Sequence, residues 1–263
     1  MSSRKEEKQR LREERESAQR EQVLVQRRNR RLKLLGTVLV AAAAVVVIAI
    51  IASGGGGSDS GGPPKGRASE LSRRFDGIPQ QGLVLGNPNA PVTFVEFADL
   101  KCPVCRDYTL TVFPKLVDRY VRTGKVKMVL QLQHFVGNEN GDSERAARVG
   151  LAAAQQNKLW QFADVFYANQ KSETQTYATD PFLRQIASRV PGLDVNKAFA
   201  ARNEAAVTQQ LHQASSQFNA AGFNGTPSFA VGKSGGPLAA LNPSSLAVSQ
   251  FADPIDKLLP RGT

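Results

Sequence analysis

The chain has 263 residues, of which 41% are hydrophobic, and it contains only two cysteines. Its 34 basic and 23 acidic residues give a formal net charge of +11. The hydrophobic fraction excludes a chain that is disordered throughout. Two cysteines exclude a multi-disulfide scaffold and cannot complete a four-ligand zinc site by themselves. They can form one disulfide or one dithiol.

The N-terminal 33 residues carry more than half of the excess charge, because their 12 basic and 6 acidic side chains give a net charge of +6. Nucleic-acid binding is one interpretation of such a basic arm. We predict instead a solvated cytoplasmic arm and no nucleic-acid partner, because an apolar segment follows it directly and accounts for the basic cluster.

Residues 34–52 (LLGTVLVAAAAVVVIAIIA) contain no charged side chain. Nineteen residues rise ~28 Å as a helix, close to the thickness of the hydrocarbon core of a bilayer. Five cations precede the segment, at Arg27, Arg28, Arg30, Arg31 and Lys33. This pattern predicts a single transmembrane helix with a cytoplasmic N-terminus and an extracytoplasmic C-terminal part. A cleaved signal peptide is the alternative.

Residues 53–69 are rich in Gly, Ser and Pro, which predicts a flexible linker. We expect residues 70–263 to fold as one α/β domain. The run VTFVEF at residues 92–97 is typical of a buried strand, and residues 98–101 are expected to form a loop. A helix follows that Pro114 should kink and Gly124 should end, before a strand over residues 126–132. This order predicts a βαβ unit.

The sequence Cys102-Pro103-Val104-Cys105 lies where the first strand gives way to the helix. Unpaired N–H groups and the positive end of the helix dipole favour the thiolate of Cys102 there. Cys105 lies one turn further on, within reach of Cys102, and Pro103 suits a first helical turn. Half of a zinc site with His134 and His212 is an alternative, but the spacing fits no compact metal site. An inert structural disulfide is a second alternative, although closing so short a loop adds little to the stability of the fold.

Two further features accompany the cysteine pair. Thr226-Pro227 precedes an apolar strand, where the proline is either a cis-proline or an ordinary trans strand start. Glu96 lies in an otherwise apolar strand, six residues before Cys102. It is either a buried carboxyl that can exchange protons with Cys105 or a side chain that points to solvent.

The chain resembles the DsbA-like branch of the thioredoxin superfamily in a membrane-anchored bacterial form. The resemblance rests on VTFVEFADLKCPVC at residues 92–105, HFVGNENGDSERAAR at residues 134–148 and GFNGTPSFAVG at residues 222–232. It implies that Cys102 is the exposed nucleophile, Cys105 the buried resolving thiol and Glu96 the buried acid. It also implies a cis-proline at Pro227, with Thr226 binding an extended peptide beside Pro103 and Val104. Oxidases of this branch carry His at the position of Val104.

We expect a helical insert over about residues 136–225, as in that family. Its helices are predicted from Asp142 or Ser143 to about Gln156, over residues 158–169, from a cap at Asp180, and as one helix over residues 194–217. A hairpin should follow across residues 233–236, and a final helix should start at Asn242-Pro243.

The leading hypothesis is an extracytoplasmic protein-disulfide oxidoreductase that introduces disulfides into exported cysteine-containing proteins through Cys102 and Cys105. It needs no cofactor and no metal, because its own sulfur carries the electrons. A membrane redox partner, DsbB-like or vitamin K epoxide reductase-like, is expected to reoxidise it. A membrane-tethered disulfide reductase or isomerase is the first alternative. A non-catalytic binding module is the second.

Overall fold

The computed structural model describes residues 73–137 and 141–260. The predicted arm (residues 1–33), transmembrane helix (34–52) and linker (53–69) lie outside the described residues. Within the described part, no helix is both long enough and apolar enough to cross a bilayer.

Strand β3 lies at the centre of the fold and carries the apolar run that the sequence analysis identified. The six strands are β1 (Gln80–Gln81), β2 (Val84–Leu85), β3 (Val92–Asp99), β4 (Val126–Gln133), β5 (Ser228–Lys233) and β6 (Ala239–Leu241), and they form one sheet in the order β1-β2-β4-β3-β5-β6. β3 pairs in parallel with β4 and antiparallel with β5. All eight residues of β3 are buried, as expected for a strand covered on both faces.

The predicted βαβ unit is confirmed. Helix α1 (Pro103–Thr111) follows β3, a short helix α2 (Phe113–Leu116) continues it, and a π-helical turn (Val117–Val121) leads to β4. The helix breaks at Val112, just before Pro114, because proline has no N–H to donate to the preceding turn. The loop between β3 and α1 is shorter than predicted, since β3 continues through Asp99.

A helical insert joins β4 to β5, which confirms the predicted thioredoxin-like α/β architecture with a helical insertion. Its helices are α3 (Asp142–Ala154), α4 (Leu159–Ala168), α5 (Asp180–Ser188), α6 (Val195–Ala201) and α7 (Ala205–Ala220). The helices α3 and α4 lie close to β3, β4 and α1, and their apolar faces complete the main hydrophobic core.

Three details of the insert correct the sequence analysis. The single helix predicted over residues 194–217 is two helices, because the chain leaves helical geometry before Glu204. At this break, the Arg202 side chain donates two hydrogen bonds, of 2.7 and 2.8 Å, to the Asp180 carboxylate. Asp142 does not cap α3, because its carboxylate is directed elsewhere in the core. Thr179, and not Asp180, is the N-cap of α5.

The C-terminal part contains the predicted hairpin, in which β5 pairs with β6 from Phe229 opposite Leu241 to Val231 opposite Ala239. The last helix, α8, spans Ser249–Leu258 and starts later than the predicted Asn242-Pro243. Residues 242–248 form an irregular segment, of which residues 242–246 line an open groove together with Val104 and residues 224–229.

Candidate active site

Cys102 is the N-cap residue of α1. Its backbone is extended, at φ −71° and ψ 122°, and its sulfur accepts a hydrogen bond from the backbone N–H of Cys105 at 3.4 Å. Pro103 occupies the first helical turn, where its missing N–H leaves no hydrogen bond unmade. The sulfur therefore lies at the positive end of the helix, where a negative charge is stabilised.

The two thiols of the pair are chemically unequal. Both cysteines are free, and Cys105 is fully buried, as the resemblance implies. Cys102 was expected to be exposed, but it is also buried, at 5% exposure, because the chain around Thr226 packs against its sulfur. A hydrogen bond from the Cys105 side chain, assisted by Thr226 and by the N–H groups of Cys105 and Val104, lowers the pKa of Cys102 to about 6 against the opposing effect of burial. Burial, and then the interaction with Cys102, raises the pKa of Cys105 well above its ordinary value. At neutral pH, Cys102 is the thiolate and Cys105 keeps its proton.

The loop before β5 closes the site from the other side. The Thr226–Pro227 peptide bond is cis, as the resemblance implies. The Cys102 sulfur lies 3.2 Å from the carbonyl oxygen of Thr226, 124 residues away in the chain, and donates a hydrogen bond to it when protonated. When Cys102 is ionised or disulfide-bonded it cannot donate this hydrogen bond, so the Thr226 carbonyl is then free to accept one from another chain.

Glu96 is buried at 3% exposure, which settles its position in favour of the core. Alternation along β3 places it on the same face as Phe94 and Ala98, the face that packs against α1 and α4. Burial, with a smaller contribution from the charge of Cys102, raises the pKa of Glu96 to about 8. The charge of Glu96 in turn raises the pKa of Cys105. Glu96 thus belongs to the same electrostatic cluster as the two thiols.

The loop that leads into Cys102 is held by the helical insert, through residues that the sequence analysis did not identify. The side-chain amide of Gln170 donates to the carbonyl oxygens of Leu100 and Cys102, at 2.8 and 3.0 Å. The ammonium group of Lys101 is 1% exposed and lies 2.8 Å from a carboxylate oxygen of Asp142. The other Asp142 oxygen accepts backbone N–H groups at residues 177 and 178. No pattern in the sequence marks Lys101 as buried, since lysine is almost always solvent-exposed.

An open groove of about 480 Å³ runs past Val104, which lies between the two cysteines in the chain, and past the cis-proline Pro227. It is lined by Val104, by residues 224–229 and by residues 241–246. Val104 is 47% exposed and therefore presents an apolar surface beside Cys102. The structure thus brings together Glu96, the four residues 102–105, Thr226 and Pro227, all of which the sequence analysis had selected.

The comparisons with known proteins agree with the fold. The thioredoxin family profile matches residues 79–235. A probable disulfide bond formation protein D of Bacillus cereus is 39% identical over 116 residues, which are 43% of this chain and 52% of that protein. The one of Bacillus anthracis is 31% identical over 148 residues, which are 56% of this chain and 68% of that protein. The aligned segment therefore spans about half of the Bacillus cereus relative and two thirds of the Bacillus anthracis one.

Solved structures show the same fold. A thioredoxin-like oxidoreductase from Silicibacter pomeroyi is 30% identical, with a TM-score of 0.53 over 72% of this chain and 95% of that chain. Oxidised BdbD from Bacillus subtilis is 22% identical, with a TM-score of 0.58 over 69% of this chain and 96% of that chain. The likeness to BdbD is one of fold.

Proposed function

The chain belongs to the thioredoxin family, and on that premise we propose that it is a protein thiol–disulfide oxidoreductase whose redox pair is Cys102 and Cys105. The inequality of the two thiols carries the proposal. Disulfide exchange requires a low-pKa sulfur, here at the start of a helix, next to a second thiol that keeps its proton.

As an oxidase, the enzyme starts with the Cys102–Cys105 disulfide. A substrate thiolate attacks the Cys102 sulfur, the S–S bond breaks, and Cys105 leaves with the electron pair and takes up a proton. The second substrate thiol, once deprotonated, attacks the substrate's own sulfur in the mixed disulfide and releases Cys102 as a thiolate. Two substrate thiols become one disulfide, the protein gains two electrons and one proton, and one proton enters the solvent. Glu96 is the group placed to supply the proton to Cys105.

The lowered pKa of Cys102 favours the direction of oxidation. Stabilising the thiolate stabilises the reduced protein, which makes its disulfide a stronger oxidant. A pKa of about 6 lies between the values of roughly 7 for thioredoxin and 3.5 for DsbA. Val104 supplies no cation to the thiolate, which favours the alternative of a reductase or isomerase. The reduction potential separates the two: a value nearer −120 mV indicates an oxidase and one nearer −270 mV a reductase, on the approximate scale set by DsbA and thioredoxin.

We propose exported, cysteine-containing proteins as the substrates and a membrane electron acceptor, DsbB-like or vitamin K epoxide reductase-like, as the partner. The support is the 19-residue apolar segment with its preceding cations, which would hold the domain of residues 70–263 outside the cytoplasm on the linker of residues 53–69. The groove beside Val104, Thr226 and Pro227 has room for an extended peptide whose cysteine reaches Cys102.

Trapping of mixed disulfides tests the proposal. In the variant Cys105→Ala, Cys102 can be attacked by substrate or can attack a substrate disulfide, but nothing in the protein can release the product. We expect disulfide-linked adducts on Cys102 in the extracytoplasmic fraction, absent from the matched control Cys102→Ser/Cys105→Ala. A folded Cys105→Ala variant without adducts would support the non-catalytic binding module instead.

A further inference from the structure

A small cavity lies beside Glu96, between the sheet and the helices α1, α2 and α4. Its volume is about 10 Å³, which is roughly the space that one water molecule requires. The residues that line it are Glu96, Thr109, Phe113, Leu130, Trp160, Ala163, Asp164 and Tyr167. Two of these residues are acidic: Glu96 comes from β3, and Asp164 comes from α4 of the helical insert.

Each carboxyl group has one oxygen that no described residue satisfies. These atoms are Oε1 of Glu96 and Oδ2 of Asp164, on side chains that are 3% and 1% exposed. Buried polar atoms are rarely left without a hydrogen bond, and ordered water is the usual partner when a polar cavity adjoins them. A water molecule in this cavity would therefore supply the missing hydrogen bonds of both oxygens.

The second oxygen of Asp164 is paired with the guanidinium group of Arg74. Burial raises the pKa of Asp164 to about 7, although Arg74 opposes the shift. Because Arg74 favours the ionised form of Asp164, a proton shared by Asp164 and Glu96 would reside mainly on Glu96. The Arg74 side chain is 15% exposed, so the Arg74–Asp164 ion pair reaches the solvent.

We propose that Asp164 is a positioning residue for the redox reaction: a water molecule in the cavity joins its free oxygen to that of Glu96, and the two carboxyl groups share one proton, which Glu96 exchanges with the Cys105 sulfur. The inference rests on the proposed function, since it concerns the proton of the resolving thiol. Other ionisable groups that face the cluster are Asp99, Cys102, Cys105, Tyr108 and Tyr167. Burial raises the pKa of both tyrosines, so they stay neutral while the carboxyl groups titrate.

The step to be tested is the attack of Cys105 on a mixed disulfide held by Cys102. Glu96, as the carboxylate, takes the proton from the Cys105 thiol. The sulfur of Cys105 then bonds to the sulfur of Cys102, the bond from Cys102 to the outer sulfur breaks, and the outer group leaves as a thiolate. The rate of this step rises with pH as the shared proton leaves the pair, so its midpoint reports the second titration of the coupled carboxyls.

Dithiobis(nitrobenzoate) isolates this step, because the reduced full-length protein in detergent releases one coloured thiolate when Cys102 reacts and a second when Cys105 resolves the adduct. We expect Asp164→Asn to lower the midpoint of the second phase by about one pH unit, because a like charge beside Glu96 is removed. At a fixed pH below the midpoint, this is about a tenfold faster release. Arg74→Gln should raise the midpoint, because it removes a cation that stabilises the doubly ionised pair.

Opposite shifts of the midpoint in Asp164→Asn and Arg74→Gln distinguish a shared proton from a purely structural ion pair. Both substitutions would break a structural ion pair and would then have the same effect. Asp118→Asn is the matched control, since Asp118 pairs with Arg122 on the surface, and it should leave the midpoint unchanged. If Asp164→Asn does not fold, the double variant Arg74→Gln/Asp164→Asn removes both charges and should also lower the midpoint. An unshifted midpoint in the folded variants, or a shift of the same sign in the two single variants, overturns the inference. A wild-type protein without the second phase would instead contradict the proposed function.

Discussion

Glu96→Gln should remove a specific pH dependence from the stability of the reduced protein. Burial raises the pKa of Glu96 from its ordinary value of 4.5 to about 8. The folded state thus holds this proton more tightly than the unfolded state does, so the contribution of Glu96 is fully present below pH 4.5 and is lost as the pH rises through about 8. One unit of pKa corresponds to about 1.4 kcal/mol, so the whole loss is about 5 kcal/mol.

Glutamine has nearly the shape of the protonated acid and does not ionise. The difference in the free energy of unfolding between Glu96→Gln and the wild type should therefore grow in favour of the variant by about 1.4 kcal/mol per pH unit between pH 5 and 8. Trp160 is the only tryptophan of the chain and is buried in the described domain, so its fluorescence follows guanidinium unfolding of that domain in detergent-solubilised protein.

Glu144→Gln is the matched control, because Glu144 is partly exposed and pairs with Arg148 on the surface. Its unfolding free energy should follow that of the wild type at every pH. Parallel curves for Glu96→Gln and the wild type across this range would refute the argument, since they would mean that Glu96 is ionised in the folded protein at little cost.

Three other substitutions test the surroundings of the pair. Val104→His should make the reduction potential more positive, by about 30 mV for each 1.4 kcal/mol with which the added cation stabilises the Cys102 thiolate. The potential is measured by equilibration with glutathione, and an unchanged value would show that this position does not contact the thiolate. Gln170→Ala should lower the free energy of unfolding by about 1–3 kcal/mol, because two buried carbonyl groups lose their donor; a loss near zero would indicate that water replaces the amide. Lys101→Met should lower the free energy of unfolding by about 3–5 kcal/mol, because it leaves the Asp142 carboxylate buried without its cation. Lys101→Met/Asp142→Leu should recover much of that free energy. An equal loss in the single and double variants would show that the loss comes from packing.

Local patterns in the sequence predict the central part of this fold well. The apolar run before Cys102, the break at Pro114 and the strand after Gly124 are signals carried by a few adjacent residues, and the structure reproduces each of them. Glu96 was selected by its position in the apolar strand, but its burial depends on β3 being covered on both faces. That covering is made by the tertiary fold.

The residues that the sequence analysis missed are those whose role depends on a distant partner. Asp142 is a typical helix cap by its position, yet its carboxylate binds the ammonium group of Lys101, 41 residues away in the chain. Asp164 lies in an aromatic helix and shows no local motif, although it shares a cavity with Glu96. Pairings over such separations leave no trace in spacing or periodicity, so a single sequence cannot reveal them.

The account depends most directly on the ionisation of Cys102. The rate of alkylation of the reduced full-length protein by iodoacetamide, measured against pH with the modified cysteine identified by mass spectrometry, reports the thiolate fraction of each sulfur. We expect a single alkylated residue, Cys102, with a midpoint at about pH 6, while Cys105 stays unmodified in the folded protein. A midpoint near the ordinary cysteine value of about 8.5, or equal modification of both residues, would contradict the assignment of nucleophile and resolving thiol.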